Sequence, residues 1–158
     1  MAFSTGSLIG VTITDGVTTP TFKPGTVVNT SGGGEAVYVS ATSTIATYQA
    51  VIVDNEGGAV PVTTTNSAGS KSIWFSQVSI DSGRFGWVQR GGKVITNLAA
   101  NCAPNVPLYT TATAGVLDDA VVSLGLVIGL VANTTISNAT AVTCVASRGV
   151  TIGTGDMD

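Results

Sequence analysis

Charge is what this sequence has least of. Only 9% of its 158 residues are charged, whereas an ordinary soluble domain has about 25%. A monomer normally stays soluble through charge, so we expect the chain to present Thr, Ser, Asn and Gly to water or to bury much of its surface against a partner. The net charge is −3 and the six basic residues are scattered. We therefore expect no nucleic-acid partner.

Histidine is absent, and cysteine occurs only at Cys102 and Cys144. The first absence excludes Ser-His-Asp and Cys-His catalysis and the commonest metal ligand, and two cysteines are too few for a zinc site. A disulfide between them stays open, although unpaired thiols are favoured. The adjacent Asp118 and Asp119 point to opposite faces of a strand, which favours a turn role over catalysis or calcium binding. We expect no enzyme activity, no cofactor and no metal.

Long hydrophobic segments are also missing. The longest apolar run, residues 124–132, is too short for a membrane helix and is interrupted by Gly125 and Gly129. The first residues lack the basic and apolar regions of a signal peptide. We expect no membrane partner, and synthesis in the cytoplasm.

What the sequence does contain is many short, β-branched segments separated by turn residues. No long segment has a 3.6-residue apolar period, and turns recur about every eight to twelve residues. This pattern predicts an all-β fold: a compact antiparallel β-barrel or sandwich of many short strands, with little helix beyond one turn at 44–48. We expect an N-terminal strand or arm at 1–24, the barrel or sandwich at 25–153, and a mobile tail at 154–158.

The clearest local prediction is a hairpin. Residues 85–90 and 93–98 read as strands, and Gly91-Gly92 between them suits a turn that needs positive φ. Trp87 would lie on the face opposite Val88 and serve as a core residue.

Further local predictions concern burial and strand position. Residues 124–132 read as the most buried strand, with bulges at its glycines, and Pro61 places the strand at 59–65 at a sheet edge. The strand at 72–79 is apolar on both faces, so it lies between two layers or under a neighbouring subunit. The segments YQAVIVDNEGGAVPV and PLYTTATAGVLDD share a strand–turn–strand layout, which we interpret as ordinary hairpins and not as a repeat.

A series of motifs between residues 48 and 132 resembles the decoration, or cement, proteins of tailed-bacteriophage heads. The matching pieces are FGWV (85–88), the glycine pair (91–92), VITNL (94–98), ANCA (100–103), PLYT (107–110), GVLDD (115–119) and GLVIG (125–129). These motifs consist of turn and core residues, and the first forty residues do not match.

The resemblance implies a virion structural protein that stabilises the outside of a bacteriophage capsid by binding major capsid protein subunits. It implies a location on the capsid surface after synthesis in the host cytoplasm, and a closed homo-oligomer, commonly a trimer. We expect the contacts to involve the N-terminal Phe3, Leu8 and Ile9, and apolar surface at Trp74 and Phe75.

Two other functions stay open from the sequence. The first is a carbohydrate-binding β-sandwich of a phage fibre or cell-surface adhesin, with Trp74 and Trp87 as stacking groups. The second is a small hydrolase, which the lack of histidine disfavours.

Overall fold

Eleven β-strands make up the chain in a computed structural model that describes residues 13, 16–30, 33–67, 71–132 and 134–153, the last seven by backbone alone. The strands are β1 (Val27–Asn29), β2 (Glu35–Ala41), β3 (Ala50–Val53), β4 (Gly58–Pro61), β5 (Ile73–Ser76), β6 (Phe85–Arg90), β7 (Gly92–Leu98), β8 (Leu108–Thr110), β9 (Val116–Asp118), β10 (Leu126–Ala132) and β11 (Thr140–Gly153). These residues include no helix. The predicted all-β barrel class is confirmed.

The strands form two closed barrels of five strands each. In barrel 1 the order is β2-β4-β3-β5-β6, and β6 returns to pair with β2; β1 is added outside this ring, on β2. In barrel 2 the order is β7-β9-β8-β10-β11, and β11 returns to pair with β7. Closure leaves neither ring with a free edge.

The two barrels repeat one another strand for strand. Each has one parallel pair, β2 with β4 and β7 with β9, and four antiparallel pairs in the same order. The parallel pairs align Ala41 with Ala59 in barrel 1 and Leu98 with Leu117 in barrel 2. The chain is therefore built from two copies of one supersecondary unit.

The similar layouts noted in the sequence are the β3–β4 and β8–β9 hairpins, which occupy equivalent places in the two barrels. Our interpretation of them as unrelated hairpins was wrong. Equivalent positions share little beyond apolar character, as Val88 in β6 and Cys144 in β11 show. Side-chain identity is free to diverge as long as each barrel interior stays filled.

The predicted hairpin at 85–98 was also wrong, although its strand limits were close. β6 pairs with β2 and β5, whereas β7 pairs with β9 and β11, and no ladder joins the two strands. Gly91 and Gly92 do have the expected positive φ, 77° and 69°. The glycine pair is the link between the barrels.

The interior of barrel 1 is an apolar cluster from all five strands and two loops. Its buried members are Val37, Val39, Ala41, Ile45, Val51, Ala59, Trp74, Ile80 and Val88. In β5, Trp74 points into this interior, whereas the flanking Ile73 and Phe75 point outward and join the core of barrel 2. The strand that is apolar on both faces thus lies between two layers, the first of the two predicted alternatives.

The seam between the barrels is both apolar and hydrogen-bonded. Phe75 and Ile73 belong to the same buried cluster as Leu98 and Leu117 of barrel 2. The β8–β9 turn reaches across to barrel 1, where the amide of Ala50 donates to the carbonyl of Gly115 at 2.9 Å. The outward side chains of β5 therefore pack into the core of barrel 2, whereas the interior of barrel 1 is a separate cluster.

A cluster of aromatic side chains from β2, β6 and the segment before β1 covers the outer face of barrel 1. Tyr38 and Trp87 lie edge to face with ring centroids 5.0 Å apart, and Phe22 packs on both at 5.5 and 5.3 Å. The segment before β1 is fixed over them, because the amide of Val17 donates to the carbonyl of Phe85 and the amide of Gly25 donates to Tyr38. Trp87 is 4% exposed, so its predicted core role is confirmed.

Three smaller predictions were wrong for local reasons. Residues 44–48 form no helical turn, because Ile45 pairs with Ile80 in an isolated bridge. β4 lies inside a ring and not at an edge; Pro61 is tolerated there because the β2 ladder stops at Ala59. The segment 124–132 is only half buried, since β10 turns one face to solvent, although a bulge at Gly129 is present.

Candidate interaction surfaces

The residues that we expected at a contact surface are placed elsewhere or lie outside the described residues. Phe3, Leu8 and Ile9 belong to the undescribed N-terminal segment. Trp74 is 5% exposed and Phe75 has no exposed surface, because β5 runs between the two barrel interiors. Neither side chain offers the exposed apolar surface that we expected.

The tryptophans also do not form a sugar-stacking platform. Trp74 lies inside barrel 1, and its ring is covered by the guanidinium of Arg90, 4.1 Å from the centroid. The same Arg90 makes an ion pair of 3.0 Å with Glu35. Trp87 is enclosed by the aromatic cluster, so both indoles act as packing groups.

A shallow groove of about 480 Å³ lies beside the β3–β4 turn. Its rim carries Asp54, Glu56 and Lys71. The Asp54 carboxylate already accepts hydrogen bonds from the amides of Glu56 and Gly58, at 3.0 and 2.6 Å. These hydrogen bonds fix the turn and occupy the Asp54 carboxylate. The residues that line the groove therefore offer no convergent set of free polar groups.

One group of ligand-type atoms gathers at the end of barrel 2. The sulfur of Cys102 and a carboxylate oxygen from each of Asp118 and Asp119 lie within 4.8 Å of one another. Burial, and secondarily the charges of Asp119 and Asp118, raise the pKa of the Cys102 thiol. A thiol must lose its proton to bind a metal, and the raised pKa opposes that loss.

The carboxylates at this end of barrel 2 serve the chain itself. Asp119 accepts a hydrogen bond from the amide of Ala103 at 2.8 Å, and Asp118 accepts one from the amide of Asp119. This is the predicted turn role. Cys102 and Cys144 are both free and buried, and burial raises the pKa of Cys144 to about 11.

An exposed apolar surface lies on one side of barrel 2, and we call it the β10–β11 face. Its members are the outward side chains Tyr109, Leu126, Ile128, Val131 and Val145. Ile128, Val131 and Val145 are 50%, 39% and 45% exposed. Val131 and Val145 are register partners, as are Leu126 and Tyr109, so the side chains stand next to each other across three strands.

The five members of the β10–β11 face are uncharged, but charged residues stand beside them, because Lys93 of β7 is the register partner of Val145 and Asp118 of β9 is the register partner of Tyr109. β8, β10 and the first seven residues of β11 contain no Asp, Glu, Lys or Arg. Sequence reasoning missed this face because a mostly apolar run is typical of a strand buried on both sides. The signal that could have found it is the break of that run by Gly125 and Gly129.

The basic residues near the inter-barrel link do not form a patch. Arg84 makes an exposed ion pair of 3.5 Å with Asp81, and Arg90 is bound to Glu35. Among the residues described, no helix is long and apolar enough to cross a membrane.

The fold is similar to that of a known phage protein. No protein-family model and no curated protein matches the chain. A solved structure, the N base of the head fiber protein gp8.5 of bacteriophage phi29, superposes with a TM-score of 0.54 at 13% sequence identity. The match covers 74% of this chain and 97% of that one. At this identity the likeness shows the fold alone.

Proposed function

We propose that the chain is a structural protein of a bacteriophage head, where it binds the outside of the capsid as a decoration protein. The observation that carries the proposal is the fold likeness to the base of a phage head fiber, which covers 97% of that base. It agrees with the motifs at residues 85–129 that resemble head decoration proteins.

The chemistry of the described residues supports a binding role. They present no histidine and no free polar cluster, and the acidic pair at the end of barrel 2 is engaged by backbone amides. The exposed groups include many hydroxyls, amides and aliphatic side chains, and only 9% of the whole sequence is charged. Such surfaces suit protein interfaces, whose centres are depleted in charge.

We propose that the partner is the major capsid protein and that the chain acts as a closed homo-oligomer, a trimer on the resemblance, with no enzyme activity. Since Trp74 and Phe75 are interior, the proposed capsid contacts rest on the N-terminal residues Phe3, Leu8 and Ile9. The aromatic cluster fixes residues 17–25 against barrel 1, so this segment leaves the barrel at a defined place.

The test is co-sedimentation of the purified protein with phage heads that lack it. We expect saturable binding that stops at a fixed number of copies per head, and weaker binding after removal of residues 1–12. Heads that already carry the protein are the control, because their sites are filled. No binding at micromolar concentration would overturn the proposal.

A further inference from the structure

Residues 16–25 form a strap that lies outside the ring of barrel 1 and runs over β2 and β6. Near its start, Val17 and Phe85 exchange two backbone hydrogen bonds of 2.8 and 2.9 Å. Further along, the amide of Thr21 donates to the hydroxyl of Tyr38 at 3.1 Å. These bonds join the strap to two strands of the barrel and give it a defined path.

Phe22 is the side chain that anchors this strap. Its ring packs edge to face on the rings of Tyr38 and Trp87, with centroids 5.5 and 5.3 Å apart. Phe22 is 37% exposed, whereas Tyr38 and Trp87 are 2% and 4% exposed. Tyr38 and Trp87 alternate with the residues that fill barrel 1, so they point outward. The strap therefore covers two aromatic rings on the outer face of the barrel.

The second barrel shows that closure does not require this aromatic pair. Tyr38 and Trp87 are register partners, and the equivalent partners in barrel 2 are Ile95 and Thr143. Ile95 is half-buried and Thr143 is exposed, yet barrel 2 is a closed ring like barrel 1. The aromatic character of the pair in barrel 1 therefore serves the strap that packs on it.

We propose that Phe22 is a positioning residue for capsid binding, because it holds the strap from which residues 1–12 reach the capsid. The inference rests on the capsid contact of the N-terminal residues proposed above, and it adds the side chain that keeps the segment in place. A segment that is already held has less conformational freedom to lose on binding. If loss of the anchor leaves the held state populated about one time in ten, the apparent affinity falls about tenfold.

The experiment combines head binding with hydrogen–deuterium exchange of the purified protein. In Phe22→Ala we expect faster exchange at the strap amides of Gly16 and Val17, unchanged exchange at Ile80 in the interior of barrel 1, and about tenfold weaker binding to heads. Phe22→Tyr keeps the ring and should restore both readouts. Thr19→Ala is the matched control, because Thr19 is an exposed residue of the same strap, and it should behave as the wild type.

A double variant distinguishes positioning from direct contact. Phe22→Ala should cause no further loss of head binding once residues 1–12 have been removed, because it acts through them. If Phe22→Ala does not fold, Tyr38→Phe removes only the hydroxyl that accepts from Thr21, and it should increase exchange of the strap amides and weaken binding to a smaller extent.

The inference is overturned if Phe22→Ala weakens binding equally with and without residues 1–12, or if binding is undiminished once those residues are removed. It is also overturned if Phe22→Ala, or Tyr38→Phe in its place, leaves exchange of the strap amides unchanged. Normal head binding by a Phe22→Ala protein whose strap amides exchange fast overturns this inference alone. A wild type that does not bind heads overturns the proposed function, and this inference with it.

Discussion

Replacement of Thr96 by valine should stabilise the protein. Thr96 lies in β7 between Val94 and Leu98, points into barrel 2 and has no exposed surface. Its Oγ1 has no hydrogen-bond partner among the described residues. The equivalent position in barrel 1 is Val39, because Val39 and Thr96 each precede by two residues the strand ends Ala41 and Leu98 that pair with β4 and β9. Valine therefore already fills the equivalent position of the other barrel.

The magnitude follows from the burial of the hydroxyl. A buried hydroxyl without a partner costs about 1–3 kcal/mol, and the added methyl gains apolar contact. We expect Thr96→Val to raise the free energy of unfolding by about 1 kcal/mol, and the melting temperature by about 2–4 °C for a chain of this size. The reverse change at the equivalent site, Val39→Thr, should lower stability by about 1–3 kcal/mol.

Urea unfolding followed by tryptophan fluorescence measures both changes. Thr110→Val is the matched control: Thr110 is equally buried, but its hydroxyl donates to Ser67 Oγ at 3.4 Å. Removal of that bonded hydroxyl should leave stability unchanged or reduce it by about 1 kcal/mol. The reasoning fails if Thr96→Val is no more stable than wild type, or if Thr110→Val is stabilised to the same extent.

Three further predictions follow from other contacts. Arg90→Ala should lower the free energy of unfolding by about 1–2 kcal/mol, because it removes a half-buried ion pair and the cation over Trp74. The control Arg84→Ala breaks an exposed ion pair and should cost less than about 0.5 kcal/mol. Urea unfolding of both variants measures the difference. The pKa of Cys144 is raised to about 11 in the folded chain from 9.0. The free energy of unfolding should therefore be highest below pH 9 and fall as the pH rises toward and through 11. In a pH series, Cys144→Val should show a smaller fall. Gly91→Ala puts a side chain on a residue with φ of 77° and should cost about 1 kcal/mol in thermal unfolding, with an unchanged melting temperature contradicting the left-handed link.

Local features were predictable wherever they depended on neighbours in sequence. The limits of β6, the positive φ of Gly91 and Gly92, and the turn role of Asp118 and Asp119 all follow from residue type. The all-β class followed from the spacing of turns.

Pairing was not predictable in the same way. Two glycines between two strands suit a tight reversal, but they equally suit a link between separate sheets, and only the long-range partners decide. Val88 of β6 pairs with Val37 of β2, and Cys144 of β11 pairs with Val94 of β7, each about fifty residues away in the sequence. The repeat stayed hidden because equivalent residues need only fill equivalent space.

The contact surface could not be located from the sequence for a related reason. Exposure of Val131 and burial of Phe75 depend on which barrel lies over each strand, and both residues look alike as outward apolar groups on a β-strand. The packing of barrel 2 against β5 distinguishes them, and it depends on contacts between residues far apart in sequence.

Closure of each barrel by its own first and last strands gives the chain an order of assembly. Every partner of β2 has been synthesised by Arg90, before any residue of barrel 2 follows, so barrel 1 can form on the ribosome while barrel 2 is still being made. Until barrel 2 closes, Ile73 and Phe75 remain open to solvent. The nascent chain therefore exposes an aggregation-prone apolar surface for a time, and the folding rate of barrel 2 sets how long this exposure lasts.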